Sequence, residues 1–121
     1  MTDPLPLIKG TLDLLLLKAL STEPKHGYGL AVWLEQNSQS EIVADDSAIY
    51  QALRRLEGKR FVTADWALTE NKRRARYYTL TARGREHLVQ QAQTWLRYTK
   101  WVTTLLEAEG GLPTLTVAEA T

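Results

Sequence analysis

The cations of this chain stand in one block. Residues 54–87 carry ten of the fifteen Lys and Arg side chains and four Asp and Glu, a net +6, whereas residues 1–53 are net −4 and residues 88–121 net −1. With a net charge of only +1 for the whole chain, such a cluster is the electrostatic footprint of a surface that binds phosphate or another polyanion. The plainer alternative is a solvated charged face. Two groups dominate the block: Tyr50, Gln51, Arg54 and Arg55, and then Lys72, Arg73, Arg74 and Arg76. Covalent chemistry has few candidates. Cysteine is absent, which excludes thiol nucleophiles, disulfides and Cys-ligated zinc. His26 and His87 lie far apart without partner ligands, so no metal site is expected. No His–carboxylate constellation or glycine-rich phosphate loop is evident, so neither enzyme activity nor a cofactor is expected.

Positioning these residues requires a folded scaffold, and 121 residues, 44% of them hydrophobic, suffice for one globular domain. Apolar runs such as Leu14 to Leu17 and Leu30 to Leu34 are far too short to span a membrane. No signal peptide is evident, and a cytoplasmic location is expected. Residues 1–6, with Pro4 and Pro6, are expected to be an irregular arm. A first helix is expected from Leu7 to Ser21. It is apolar nearly all round, which requires cover on more than one side. His26 to Asn37 forms a second helix, and Asp45 or Asp46 caps a third that runs to about Gly58. Ile49, Leu53 and Leu56 make the third helix's buried stripe, with Ser47, Gln51, Arg54 and Arg55 opposite and Tyr50 at the boundary. Phe61–Leu68 and Arg74–Thr81 alternate as strands, and the short polar link between them predicts an antiparallel hairpin. Thr81 can cap a last helix running to about Glu109. Its Leu88, Ala92, Trp95, Thr99, Val102 and Leu106 recur at heptad spacing.

Helix, helix, helix, hairpin and long helix is the order of a winged helix-turn-helix domain with an added helix. The expected fold is mainly α (α+β). Three helices and a two-stranded β-wing fill residues 1–80, a long C-terminal dimerisation helix covers 81–109, and a flexible tail covers 110–121. Specific residues then resemble the PadR family of transcriptional regulators. They are Leu7-Ile8-Lys9-Gly10-Thr11-Leu12-Asp13, Leu20-Ser21, His26-Gly27-Tyr28-Gly29, Ile49-Tyr50 with Leu53, Leu56 and Glu57, and Arg74, Arg76, Tyr78, Leu80, Thr81 and Gly84. These motifs come in family order over residues 7–88, and the single C-terminal helix resembles the family's shorter members. The resemblance implies a dimeric winged-helix DNA-binding protein, usually a repressor, often released by a small molecule or another signal. The sequence departs from the family at Ala48, where a hydroxyl is common, at Gln51, where proline is common, and at Arg60, where a glycine usually ends the third helix.

The residues suggest roles within that frame. A helix fits the major groove and meets base edges near its N-terminus. Gln51 can bond an adenine edge, Arg54 or Arg55 can reach guanine or phosphate, and the hydroxyls of Tyr50 and Ser47 can reach a phosphate. Lys72, Arg73 and Arg74 at the hairpin tip suit the backbone or the minor groove. Arg76 lies deeper and is a candidate for an ion pair within the chain. Tyr28 opens the second helix, where backbone N–H groups suit a phosphate; packing in the core is its alternative. Double-stranded DNA is therefore the expected partner, together with a second copy of the chain. Leu12, Leu16, Leu88, Ala92, Trp95, Val102 and Leu106 are candidates for the dimer interface. Trp95, Tyr98 and Trp101 are candidates for holding a flat apolar or aromatic effector, although most tryptophans at such seams simply pack. A winged-helix module that binds only other proteins is the alternative function.

Overall fold

The computed structural model describes residues 3–115. Its elements run α1 (Thr11–Leu20), α2 (Gly27–Asn37), α3 (Asp46–Gly58), β1 (Val62–Leu68), β2 (Arg74–Leu80) and α4 (Ala82–Leu106). Three helices, a hairpin and a long helix appear in the expected order. The first helix begins later than its apolar pattern suggests. Gly10 takes a left-handed backbone, with φ 89°, and the chain from residue 3 to Gly10 is exposed and non-helical.

The core is built from the expected stripes. Leu16, Leu17 and Leu20 of α1, Leu30 and Leu34 of α2, and Ile49, Leu53 and Leu56 of α3 are buried together. Phe61, Val62, Tyr78 and Leu88 close this core from the wing side and from α4. Helices α2 and α3 are each capped by a side chain just before them, whereas α1 starts at Gly10 without one. His26 Nδ1 accepts the Gly29 N–H at 3.0 Å, and Asp45 Oδ1 accepts the Ala48 N–H at 2.8 Å. Helix α3 ends in a reciprocal pair of bonds: Phe61 N–H to Leu56 C=O and Arg60 N–H to Glu57 C=O, both 3.0 Å. That motif places the residue just past the C-cap in the left-handed region, and Arg60 occupies it with φ 64°.

The hairpin pairs antiparallel from Val62↔Leu80 to Leu68↔Arg74. Thr69 and Arg73 close a three-residue loop, with Thr69 N–H on Arg73 C=O and Lys72 N–H on Thr69 C=O, each 2.8 Å. Lys72 sits at φ 61°, the left-handed position this loop length requires. On the other edge of β2, Lys25 and Tyr78 exchange both backbone hydrogen bonds, at 3.2 and 2.9 Å. The Lys25 side chain turns back and donates to the Ala19 carbonyl at 2.7 Å, where α1 ends.

Thr81 performs the expected cap of α4: its Oγ1 accepts the Gly84 N–H at 2.9 Å. Gly84 is pressed against the Phe61 carbonyl, so that a Cβ there would lie 2.0 Å from that oxygen. His87 stacks on the Phe61 ring, centroids 4.2 Å apart. The chain forms two compact units that part between Gln90 and Gln91, with the first turns of α4 in the same unit as the hairpin. Helix α4 ends at Leu106 rather than near Glu109. Of the expected flexible tail, residues 116–121 lie outside the described residues. No helix among the described residues is long and apolar enough to cross a membrane.

Candidate nucleic-acid interface

The exposed side of α3 is a short polar stripe. With Ile49, Ala52, Leu53 and Leu56 turned to the core, Ser47, Tyr50, Gln51 and Arg54 face outward. Gln51 Nε2 donates to Ser47 Oγ at 3.3 Å; the two side chains hold one another while keeping further donors and acceptors free. Arg54 pairs with no carboxylate among the described residues. Arg55, also exposed, has a partner within the chain. Its Nη2 and Nε donate to the Asp13 carboxylate of α1 at 2.7 and 3.2 Å. That bond to Asp13 raises the already high Arg55 pKa. The guanidinium joins α3 to α1 while its side chain stays half exposed.

At the tip of the wing, Lys72, Arg73 and Arg74 are exposed and, among the described residues, unpaired with acids. Arg76, two residues deeper, donates to Glu57 of α3 at 3.0 Å, as its place on the strand suggested. Tyr78 follows it into the core, and burial raises its phenol pKa above the ordinary value.

Between the wing and the start of α2 lies an open groove lined by Lys25, His26, Tyr28, Tyr50, Trp66, Arg73, Arg74 and Tyr77, among others. Tyr28 is 73% exposed, so it is not the core residue that was its alternative. Tyr50 lies across the start of α2: a Cβ on Gly27 would touch its ring and hydroxyl, each at 3.3 Å. The two exposed tyrosines, the α3 stripe and the wing cations are thus carried by one unit. Tyr28, Ser47, Tyr50, Gln51, Arg54, Lys72, Arg73 and Arg74 all lie on exposed surface, as does Arg55, the one of these cations paired with a carboxylate among the described residues.

A model of the PadR-like family of transcriptional regulators matches residues 16–90. The chain belongs to that family. Solved structures agree with the assignment. A PadR family transcriptional regulator from Eggerthella lenta is 30% identical, with 84% of this chain and 86% of that one covered at a TM-score of 0.71. A PadR-like regulator from Bacillus cereus is 26% identical over 84% of this chain and 96% of its own, with a TM-score of 0.72. A transcriptional regulator from Clostridium thermocellum shares the fold at a TM-score of 0.75 and 23% identity, covering 83% of this chain and 97% of its own. No curated protein sequence matches the chain. This PadR-like protein is accordingly a DNA-binding transcriptional regulator with a winged helix-turn-helix fold.

Within the PadR-like frame, the residues expected at a dimer seam divide. Leu12, Leu16 and Leu88 belong to the winged domain's own core. Leu16 has no exposed surface, and the apolar side chains of α1 that keep some are Leu14 and Leu15. The correction has a simple cause: a helix apolar on all sides does not announce which side meets its own domain. On α4, Ala92 and Trp95 are half-buried, whereas Tyr98, Trp101, Val102, Leu105 and Leu106 are exposed. Sequence reasoning passed over Trp66 and His26 as site residues. Trp66 carried a signal in its alternation with Ala64, which placed an aromatic ring on the wing face opposite Arg76. His26 carried one in its place directly before Gly27-Tyr28-Gly29, where a helix start needs an acceptor.

Proposed function

We propose that this PadR-like chain is a homodimeric repressor that binds a pseudo-palindromic operator through α3 and the wing and is released by a flat apolar or aromatic effector. The observation that carries the DNA half is the set of acid-free cations, Arg54 with Lys72, Arg73 and Arg74, exposed beside the polar stripe of Ser47, Tyr50 and Gln51. Arg54 and Gln51 address base edges, and the wing cations and tyrosine hydroxyls address phosphates. The exposed apolar side of α4 supports the second copy, since Trp101, Leu105 and Leu106 in one stretch are an unusual load for a helix in water. A dimer would offer two α3 helices to successive major grooves, about 34 Å apart. An effector seated by Trp95, Tyr98 and Trp101 would shift that spacing, and its influence on DNA binding equals its preference between the two spacings.

The test is binding to the DNA upstream of the protein's own gene, titrated with salt. Each phosphate neutralised contributes about 0.9 to the log–log slope. Arg73→Ala with Arg74→Ala should weaken binding to every sequence and flatten the slope. Gln51→Ala should relax preference at one base pair per half-site, at roughly 1–3 kcal/mol. Absence of any duplex binding would leave the protein-binding module in its place.

A further inference from the structure

We propose that Trp66 is a positioning residue for the DNA contact of the wing: it holds the Arg74 guanidinium over its ring, ready for a phosphate. This rests on the assignment of the wing tip to DNA. Alternation along β2 puts Arg74 and Arg76 on one face, and the strand register sets Leu68 and Trp66 opposite them. The two arginines are restrained differently. Arg76 is held by the Glu57 carboxylate at 3.0 Å, with its guanidinium 5.7 Å from the Tyr78 ring. Among the described residues Arg74 pairs with no carboxylate; its guanidinium carbon lies 5.1 Å from the centroid of the Trp66 ring. A carboxylate neutralises the cation it restrains. An aromatic face restrains the guanidinium through its quadrupole and leaves the charge and the N–H donors for another partner. Both side chains line the groove that also holds Tyr28 and Tyr50. Trp66 is 60% exposed, far more than a packing role requires. Holding Arg74 beside Arg73 and Lys72 also works against the repulsion that would scatter three adjacent cations. The rotational freedom Arg74 would lose on meeting a phosphate is partly removed beforehand.

The experiment measures fluorescence anisotropy of a labelled mixed-sequence duplex, because a phosphate contact needs no particular operator. Trp66→Leu should weaken binding about two- to fivefold, the strength of one exposed cation–π contact. It should leave the log–log salt slope unchanged, because the number of phosphates met is unchanged. Trp66→Phe should recover most of the loss. Arg74→Ala should lower the slope by about 0.9 per wing, and on that background Trp66→Leu should add nothing. Melting curves of the Leu and Phe variants should match the parent. If Trp66→Leu costs as much on the Arg74→Ala background as alone, Trp66 touches DNA or supports the fold, and the proposal fails. It fails equally if Trp66→Leu has no effect or Phe gives no recovery. An Arg74→Ala protein with unaltered affinity and slope would remove the wing from the interface, and the positioning role with it.

Discussion

Five non-glycine residues among those described take a left-handed backbone, and two of them, Arg60 and Lys72, do so for different reasons. Arg60 ends α3 at φ 64°, where an L side chain costs roughly 1–2 kcal/mol. Glycine would remove that strain and return part of it as unfolded-chain entropy. Arg60→Gly should therefore raise unfolding stability by about 0.5–1 kcal/mol in urea titrations; Arg60→Ala, which keeps a Cβ, should not. Lys72 carries the same conformation at the wing tip, φ 61°. There the substitution to glycine should stabilise the fold and weaken DNA binding together, a divergence that separates strain from charge. At Tyr78 the expectation concerns pH. Burial favours the neutral phenol, so the folded pKa lies above the unfolded one. The resulting stability is complete below about pH 10 and is lost as pH rises through the folded value. Denaturant titrations at neutral and alkaline pH should show parent stability falling relative to Tyr78→Phe only on the alkaline side.

At the scale of elements, two glycines make opposite forecasts. A Cβ at Gly84 would meet the Phe61 carbonyl at 2.0 Å, whereas Gly58 has open space around it. Gly84→Ala should prise α4 from the wing and cost about 1–3 kcal/mol; Gly58→Ala should be neutral or gain up to about 1 kcal/mol from helix propensity. Element order was legible because each element has its own period: heptad spacing in α4, the i, i+4, i+7 stripe of Ile49, Leu53 and Leu56 in α3, and alternation in the hairpin. The start of α1 was not, because Leu7 and Ile8 continue the apolar pattern across Gly10, whose left-handed turn stops the helix. The same applies to Arg55. Its neighbours predict a solvent-facing cation, and its partner Asp13 stands on another helix, so only the packed structure supplies the pair. Trp66 was visible as a strand residue, but the diagonal contact with Arg74 depends on strand twist and side-chain conformation that a one-dimensional pattern does not contain.

For the molecule as a whole, the decisive quantity is what covers α4. Val102 and Leu106 are exposed and lie at seam positions with heptad spacing. Val102→Asp with Leu106→Asp should yield monomers in analytical ultracentrifugation and a large loss of operator binding, with the circular dichroism of the winged part retained. A double variant that stays dimeric would place the dimer contact elsewhere. Quenching of tryptophan fluorescence by planar aromatic compounds, lost in Trp95→Leu, would locate the effector on the same helix; identical quenching in both would move it away.

The backbone exchange between Lys25 and Tyr78 gives the protein a schedule. During synthesis the three helices leave the ribosome before the strand that braces them. Until Tyr78 emerges, the Lys25 backbone lacks its strand partner, and the core is open where that tyrosine should close it. The DNA-facing stripe of α3 is then present in sequence but not yet mounted on a finished domain. A nascent chain halted with β2 still inside the exit tunnel is therefore expected to be open to proteases, whereas one halted once Thr81 has left the tunnel can tie its first turn to its wing. Pulse proteolysis of stalled nascent chains should show protection arising between those two lengths.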